Sequence, residues 1–434
     1  MRTSSNQRCV CGASHHVPID TVVIGEDAFE RLGEYAGVRE WTTPMVVMDV
    51  NTEDVAGRRV ADELSRAGLR VTACRYSERS GLLATESAVS RLHAKVDEFH
   101  PDSLFAVGSG VVTDLTRYVA SQVGLEFVSV PTAASMDGYA SSVAAMEFSG
   151  LKATFPAVPP VAIFADPVTV AAAPREMTRA GLGDLLGKAS SRLDWHIASG
   201  LYGEPFCPEV ERRVTDSLVQ VATGVDDILR QSPRAIAQLL GGLVESGLAM
   251  AMMGSSRPAS GCEHHASHLW DLLASTGERP HAPHGLQVGY ATHFAMGLQR
   301  FAFGGGIADL SQPIPLPGES GHMPKSLTGH TAEVSAVMEE KRRYLHDHDS
   351  QWPATAAQWG AIQERAVEAM RVFPMVSAAL STAGIPSGPG FLNLDAQTLR
   401  TTFRWANRLR PRYTTLDFLE GQGELARAID AVFP

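Results

Sequence analysis

The sequence predicts an α/β N-terminal, Rossmann-like domain with a parallel sheet, followed by an all-α C-terminal domain. Short apolar runs alternate with amphipathic stretches from residue 22 to about 165. One of these runs passes directly into a glycine-rich turn, Gly108-Ser109-Gly110. Beyond about residue 170 the long segments read almost entirely as helix. Strand and helix in alternation argue an open parallel sheet covered on both faces.

The elements follow in order. Val22-Val23-Ile24-Gly25 is a short β-rich run, and Met45 to Asp49 is a continuous apolar run of the kind a buried parallel strand needs. Asn51-Thr52 offers a cap for a helix to about Ala67, and Leu69 to Ala73 reads as the next strand. Val89, Leu92, Val96 and Phe99 recur at helical spacing, so Ala88 to Phe99 is an amphipathic helix. Leu104 to Val107 is strand, followed by a helix to about Val123; Phe127 to Val130 and Val161 to Ala165 are strands again. The helices then expected are Pro174 to Gly200, Glu209 to Arg230, Pro233 to Met253, Cys262 to Ser275, Leu286 to Phe303 and Ala354 to Ala383. The boundary falls near residue 170, giving 17–170 and 171–434. Residues 1–16 form a mobile extension, and 304–329, rich in Pro and Gly, an irregular insertion.

Composition excludes several classes. A net charge of -11 without a Lys/Arg block argues against nucleic acid as a partner. No apolar run reaches the length needed to cross a bilayer, and the N-terminus lacks the apolar core of a signal peptide. Five scattered cysteines fit a reduced, cytoplasmic setting. Cys9-Val10-Cys11 with His15 and His16 offers zinc-ligand types, but Cys-x-Cys is not the spacing of a common zinc module.

Chemistry concentrates in five places. Gly108 to Asp114 joins a buried strand to a helix, where backbone N–H groups and the helix N-terminus suit a phosphate; a purely structural turn is the other reading. Asp49 at a strand end suits a ribose diol, or caps a helix. Pro131 to Ser141 places hydroxyls, Asp137 and a glycine beyond a strand's carboxyl end, as a ligand loop or an ordinary polar connection. In Gly181-Leu182-Gly183-Asp184 a carboxylate stands among apolar residues, as a ligand or as a cap. Glu263-His264-His265-Ala266-Ser267-His268 puts two histidines four apart on one helical face, and His284-Gly285 follows after a short loop. Histidines that converge make a metal site the leading reading, and two with one Asp would leave coordination positions open for substrate.

In this order, the five motifs resemble the superfamily of iron-containing alcohol dehydrogenases, glycerol dehydrogenase and dehydroquinate synthase. Within it they look most like the bacterial, AraM-like glycerol-1-phosphate dehydrogenases. The specific strings are Ser135-Met136-Asp137-Gly138-Tyr139-Ala140-Ser141 and Glu263-His264 with Ser267-His268. The resemblance covers about residues 17–300 and implies a dehydroquinate synthase-like architecture. It implies that Asp184, His264 and His284 hold one divalent metal, zinc or nickel. It implies that Asp137, Asp184 and His268 contact substrate, with His268 and Asp137 catalytic and His268 relaying a proton. For NAD (or NADP) it implies Asp49, Gly108, Ser109, Gly110, Val111, Val112, Thr113, Asp114, Thr132, Ala133, Ala134, Ser135, Ser141 and Lys152. Ser109 departs from the usual triple-glycine turn. The reaction implied is reversible reduction of dihydroxyacetone phosphate to sn-glycerol 1-phosphate, on a phosphorylated ketone or polyol, in a homo-oligomer. A dehydroquinate synthase-like cyclase and a glycerol dehydrogenase acting on unphosphorylated polyol are the alternatives. Relatives of the first usually carry glutamate where Asp184 stands.

Overall fold

A computed structural model describes residues 9–79, 81–148, 151–304, 328, 331–348 and 356–433. It divides into two compact units, one of residues 1–181 with 224–254, the other of 182–223 with 255–434. The sequence reading places a single break near 170. The helix Pro233–Met253 belongs to the first unit because it packs on the 3-10 turn Gly138–Ala140 and the helix Pro167–Ala171. By length and hydropathy that helix could cross a membrane, contrary to the expectation that no run is long enough. Its Ile236, Leu239, Leu240 and Leu243 are instead buried within the unit.

The first unit is built on a six-stranded sheet, all parallel, of β1 (Thr21–Ile24), β2 (Pro44–Asp49), β3 (Thr72–Tyr76), β4 (Ser103–Gly108), β5 (Glu126–Pro131) and β8 (Ala162–Ala165). Their order is β1-β8-β5-β4-β2-β3. β2 and β4 pair directly, Val46 opposite Phe105. One face buries Met45, Val47, Leu104, Ala106 and Phe127; the other buries Val46, Phe105, Val107, Val128 and Phe164. Burial on both faces explains why the strands read as unbroken apolar runs rather than alternations. The strand order reverses between β2 and β4, so Asp49 and Gly108 close adjacent carboxyl ends at the switch point, where open α/β sheets take ligands.

Four local readings change. Leu69 does not start β3: Gly68, at φ +86°, ends the preceding helix, and the Leu69 N–H returns to the Leu64 carbonyl at 3.2 Å. An antiparallel hairpin, β6 (Val143–Phe148) and β7 (Leu151–Pro156), is present where the sequence reading placed no element. The expected Glu209–Arg230 helix breaks at Gly224 into Pro208–Thr223 and Val225–Leu229. The expected Ala354–Ala383 helix is interrupted by the 3-10 turn Met370–Val372, and Pro374 stands in the first turn of Phe373–Thr382. The insertion expected at 304–329 lies, apart from Gly304 and Thr328, outside the described residues.

The second unit is helical among its described residues. The helix His284–Phe303 is its hub, packing on Cys262–Ser275, Phe373–Thr382, Thr415–Gly421 and Leu425–Val432.

Candidate active site

The dinucleotide-type elements lie in the first unit. Asp49 is the N-cap of the helical segment after β2. Its Oδ1 accepts from the Asn51 and Thr52 N–H groups, both at 2.8 Å, and its own N–H donates to Thr52 Oγ1. The cap is therefore Asp49 and not Asn51 or Thr52. The turn after β4 needs its first glycine, because a Cβ at Gly108 would lie 2.6 Å from Val112 Cβ. Ser109 fastens the turn: its Oγ lies 2.7 Å from Ser135 Oγ and 3.3 Å from the Tyr139 hydroxyl. The serine that departs from the triple glycine thus ties the turn to the 131–141 loop. Val112 and Thr113 point into the interior, so they can present only backbone to a ligand. The helix Gly110–Val123 starts here, and its first N–H groups have no intrahelical partner.

Asp114 is paired with buried Arg117 at 2.6 Å. Arg117 also donates to the Gly138, Tyr139 and Val143 carbonyls, holding the loop's far end. Thr132, Ala133 and Ala134 are buried, and the Thr132 N–H donates to the Gly108 carbonyl. Ser141 Oγ closes a local turn with Val143 N–H at 3.0 Å. Asp137 accepts from Ser246 Oγ at 2.9 Å. Lys152 lies in β7, and its side chain is outside the described residues.

In the second unit the structure brings Asp184, His264 and His284 together, one donor atom from each lying within 4.8 Å of the others. Asp184 comes from the helix Arg175–Tyr202, His264 from Cys262–Ser275, and His284 opens His284–Phe303. Glycine sets the spacing. A Cβ on Gly183 would lie 2.1 Å from the Gly285 carbonyl oxygen, and one on Gly289 2.7 Å from Gly183 Cα. The two helices therefore touch backbone to backbone beside Asp184 and His284.

Each imidazole is oriented from behind. His264 Nδ1 lies 2.7 Å from Glu263 Oε1, which also accepts from the Gly261 N–H. His284 Nδ1 lies 3.2 Å from Ser267 Oγ. With both Nδ1 atoms engaged, Nε2 is the nitrogen directed to a ligand role, as in metal-binding histidines whose other nitrogen is held by a hydrogen bond. Burial pushes the Asp184 carboxyl up, but the Lys188 ammonium at 2.7 Å, with His284 and His264, outweighs it and holds the group below the carboxylate range. A carboxylate with two imidazoles fits one divalent cation and leaves positions open. His268, the other member of the helical pair, is not among these donors. Its ring lies 6.2 Å from that of His284, and Arg410 Nη2 lies 3.3 Å from its Nε2. Burial first, then Arg410, depresses the His268 pKa well below its ordinary value, so the imidazole is neutral.

The sequence profile of the iron-containing alcohol dehydrogenases matches residues 23–174. The chain is 31% identical to the glycerol-1-phosphate dehydrogenase [NAD(P)+] of Geobacillus stearothermophilus over 417 residues, 95% of each chain. It is 38% identical to that of Halalkalibacterium halodurans over 297 residues, 67% of this chain and 74% of the relative. The chain belongs to the glycerol-1-phosphate dehydrogenase family. The family's fold extends to distant structures. The sulfoacetaldehyde reductase from Bifidobacterium kashiwanohense, solved in complex with NAD+, matches with a TM-score of 0.60 at 15% identity, covering 95% of this chain and 98% of that one.

Three residues around these histidines have roles that the sequence reading did not assign. Glu263 was visible as part of a motif, but its bond to His264 Nδ1 was not. Lys188 stands four residues after Asp184, so helical spacing alone could have found it. Arg410 lies 142 residues beyond His268, and no local signal joins them. Glu263→Gln is expected to weaken metal affinity by about 10–100-fold while leaving the fold intact. Titration calorimetry on metal-stripped protein checks this; unchanged affinity would remove Glu263 from the site's support.

Proposed function

We propose that this chain catalyses the reversible, NAD(P)-linked reduction of dihydroxyacetone phosphate to sn-glycerol 1-phosphate. The observation that carries the reading is the convergence of Asp184, His264 and His284 beside the neutral His268. These three side chains would hold zinc or nickel, and a divalent cation there supplies Lewis-acid polarisation of the ketone. Glu263 keeps His264 in the tautomer that offers Nε2, and Ser267 orients the His284 ring. His268, as a neutral base, takes the hydroxyl proton on oxidation; on reduction it relays a proton taken up from solvent to the substrate oxygen. On the first unit, the N-terminus of Gly110–Val123 would take the cofactor's pyrophosphate, and the Asp49 carboxylate a ribose diol. Asp137, held by Ser246, would contact substrate.

Arg410 names the phosphate side. It adjoins His268, and Arg412 adds to the local positive potential; burial, with Arg257 and Arg410, brings the Arg412 pKa down to about 10. Arg410 would take the phosphate ester by charge-assisted hydrogen bonds. Arg410→Gln is expected to raise the KM for dihydroxyacetone phosphate by roughly 10–100-fold, the effect of losing about 1.5–3 kcal/mol from one charged bond. Because Arg410 also touches His268, turnover of dihydroxyacetone should fall as well, but by far less; an equal loss on both ketones would place Arg410 with His268 and not with the phosphate.

The assay that tests the function follows NADH oxidation in metal-stripped and zinc- or nickel-refilled protein, with dihydroxyacetone phosphate and dihydroxyacetone side by side. Metal-dependent turnover of the phosphate ester, giving the 1-phosphate enantiomer, is expected. Turnover of dihydroxyacetone alone would make the protein a glycerol dehydrogenase. Tight NAD binding without net oxidation of NADH would favour a cyclase that recycles its cofactor.

A further inference from the structure

We propose that Cys9, Cys11 and His15 form a second, structural zinc site, separate from the Asp184, His264 and His284 cluster. The segment is a built turn in the structure. Cys9 N–H donates to the Ala13 carbonyl at 2.9 Å, and Gly12 N–H to the Cys9 carbonyl at 2.8 Å. Gly12 sits at φ +83°, the left-handed region that glycine favours, so the chain doubles back directly after Cys11. That reversal returns His15 to the two thiols. Cys11 Sγ lies 3.2 Å from His15 Nε2, and one donor atom each from Cys9, Cys11 and His15 lies within 4.8 Å of the others. Neither cysteine is in a disulfide.

The histidine is oriented as a ligand would be. His15 Nδ1 lies 2.7 Å from the Met252 carbonyl, in the last turn of Pro233–Met253. Helix carbonyls there lack intrahelical donors, so the imidazole supplies one and must carry its proton on Nδ1. The Nε2 lone pair then faces the sulfur. Histidine ligands to metals show this arrangement, the far nitrogen donating to a backbone carbonyl. Two thiolates and an imidazole form a soft donor set that selects zinc, whose ligands at about 2.0–2.3 Å stand roughly 3.3–3.8 Å apart. A further donor, from protein or water, completes the tetrahedron. The Cys-x-Cys spacing hid the site, because the glycine turn and not a standard knuckle brings the ligands together. The bound ion would fasten the N-terminal segment to the end of the helix.

The test uses full-length protein loaded with cobalt(II). The Asp184, His264 and His284 set contains no sulfur, so a thiolate-to-cobalt charge-transfer band in the near ultraviolet reports only a cysteine site. We expect two metal equivalents per chain and this band in the unaltered protein. Cys9→Ser combined with Cys11→Ser should remove the band and one equivalent while leaving the second equivalent and turnover in place. His264→Ala should lose the other equivalent and keep the band. Absence of the band from the unaltered protein overturns the proposal before any variant is made. So does a band that survives the double substitution.

Discussion

Asp184→Asn is expected to abolish metal retention and to lower kcat/KM by roughly 10³-fold or more. Several kcal/mol of transition-state charge stabilisation would be lost with the cation, and each ~1.4 kcal/mol is a factor of ten. The substitution has a second consequence. Asp184 and Lys188 are both fully buried, 2.7 Å apart. A neutral amide would leave the Lys188 ammonium in the interior without its carboxylate, a loss of about 3–5 kcal/mol. Asp184→Asn alone should therefore lose stability as well as metal. Adding Lys188→Met should restore stability without restoring metal or turnover. Thermal unfolding, metal analysis and NADH oxidation on the single and double variants separate the two effects. A single variant that retains one equivalent of metal at this site and full turnover would refute the assignment of Asp184.

Gly183→Ala is expected to be nearly as damaging, although the position carries no chemistry. The added Cβ would lie 2.1 Å from the Gly285 carbonyl oxygen. That obstacle is backbone, so the His284 helix must move as a body. Overpacking of this kind costs about 1–3 kcal/mol, and displacing His284 by about 1 Å lowers catalytic efficiency by roughly 10²-fold. Gly360→Ala is the control: nothing lies within 4 Å of a Cβ there, and the glycine is helical. That change should stabilise by about 0.5–1 kcal/mol. Equal melting temperatures and metal affinities for the two variants would show that the Gly183–Gly285 contact does not set the ligand spacing.

These predictions rest on features legible to different degrees in the sequence. The parallel sheet was legible because strands buried on both faces leave unbroken apolar runs such as Met45 to Met48. The helices Pro233–Met253 and Cys262–Ser275 were legible because Pro233 and the glycines at 254 and 261 bracket them. The hairpin β6–β7 was missed although Leu151 to Phe155 alternates apolar and polar residues, because alanines at 144, 145 and 153 weaken the β signal. Leu69 misled because an apolar residue after Gly68 looks like a strand start when it is closing a helix. In the site, Asp184, His264, His268 and His284 stood out by residue type and motif. The glycine contacts that space them, and Arg410 beside His268, depend on which segments meet in three dimensions.

The Lys188 ammonium also bears on how the protein acquires its metal. A solitary buried carboxylate would have to take up a proton or a cation before the chain closed over it, so metal would compete with protonation. With the lysine one helical turn away, the polypeptide carries its own counterion through synthesis and folding. Metallation then becomes a later exchange step, in which an incoming ion must compete with a tethered one. Such a chain is expected to keep its fold through metal starvation and to recover activity when the ion returns.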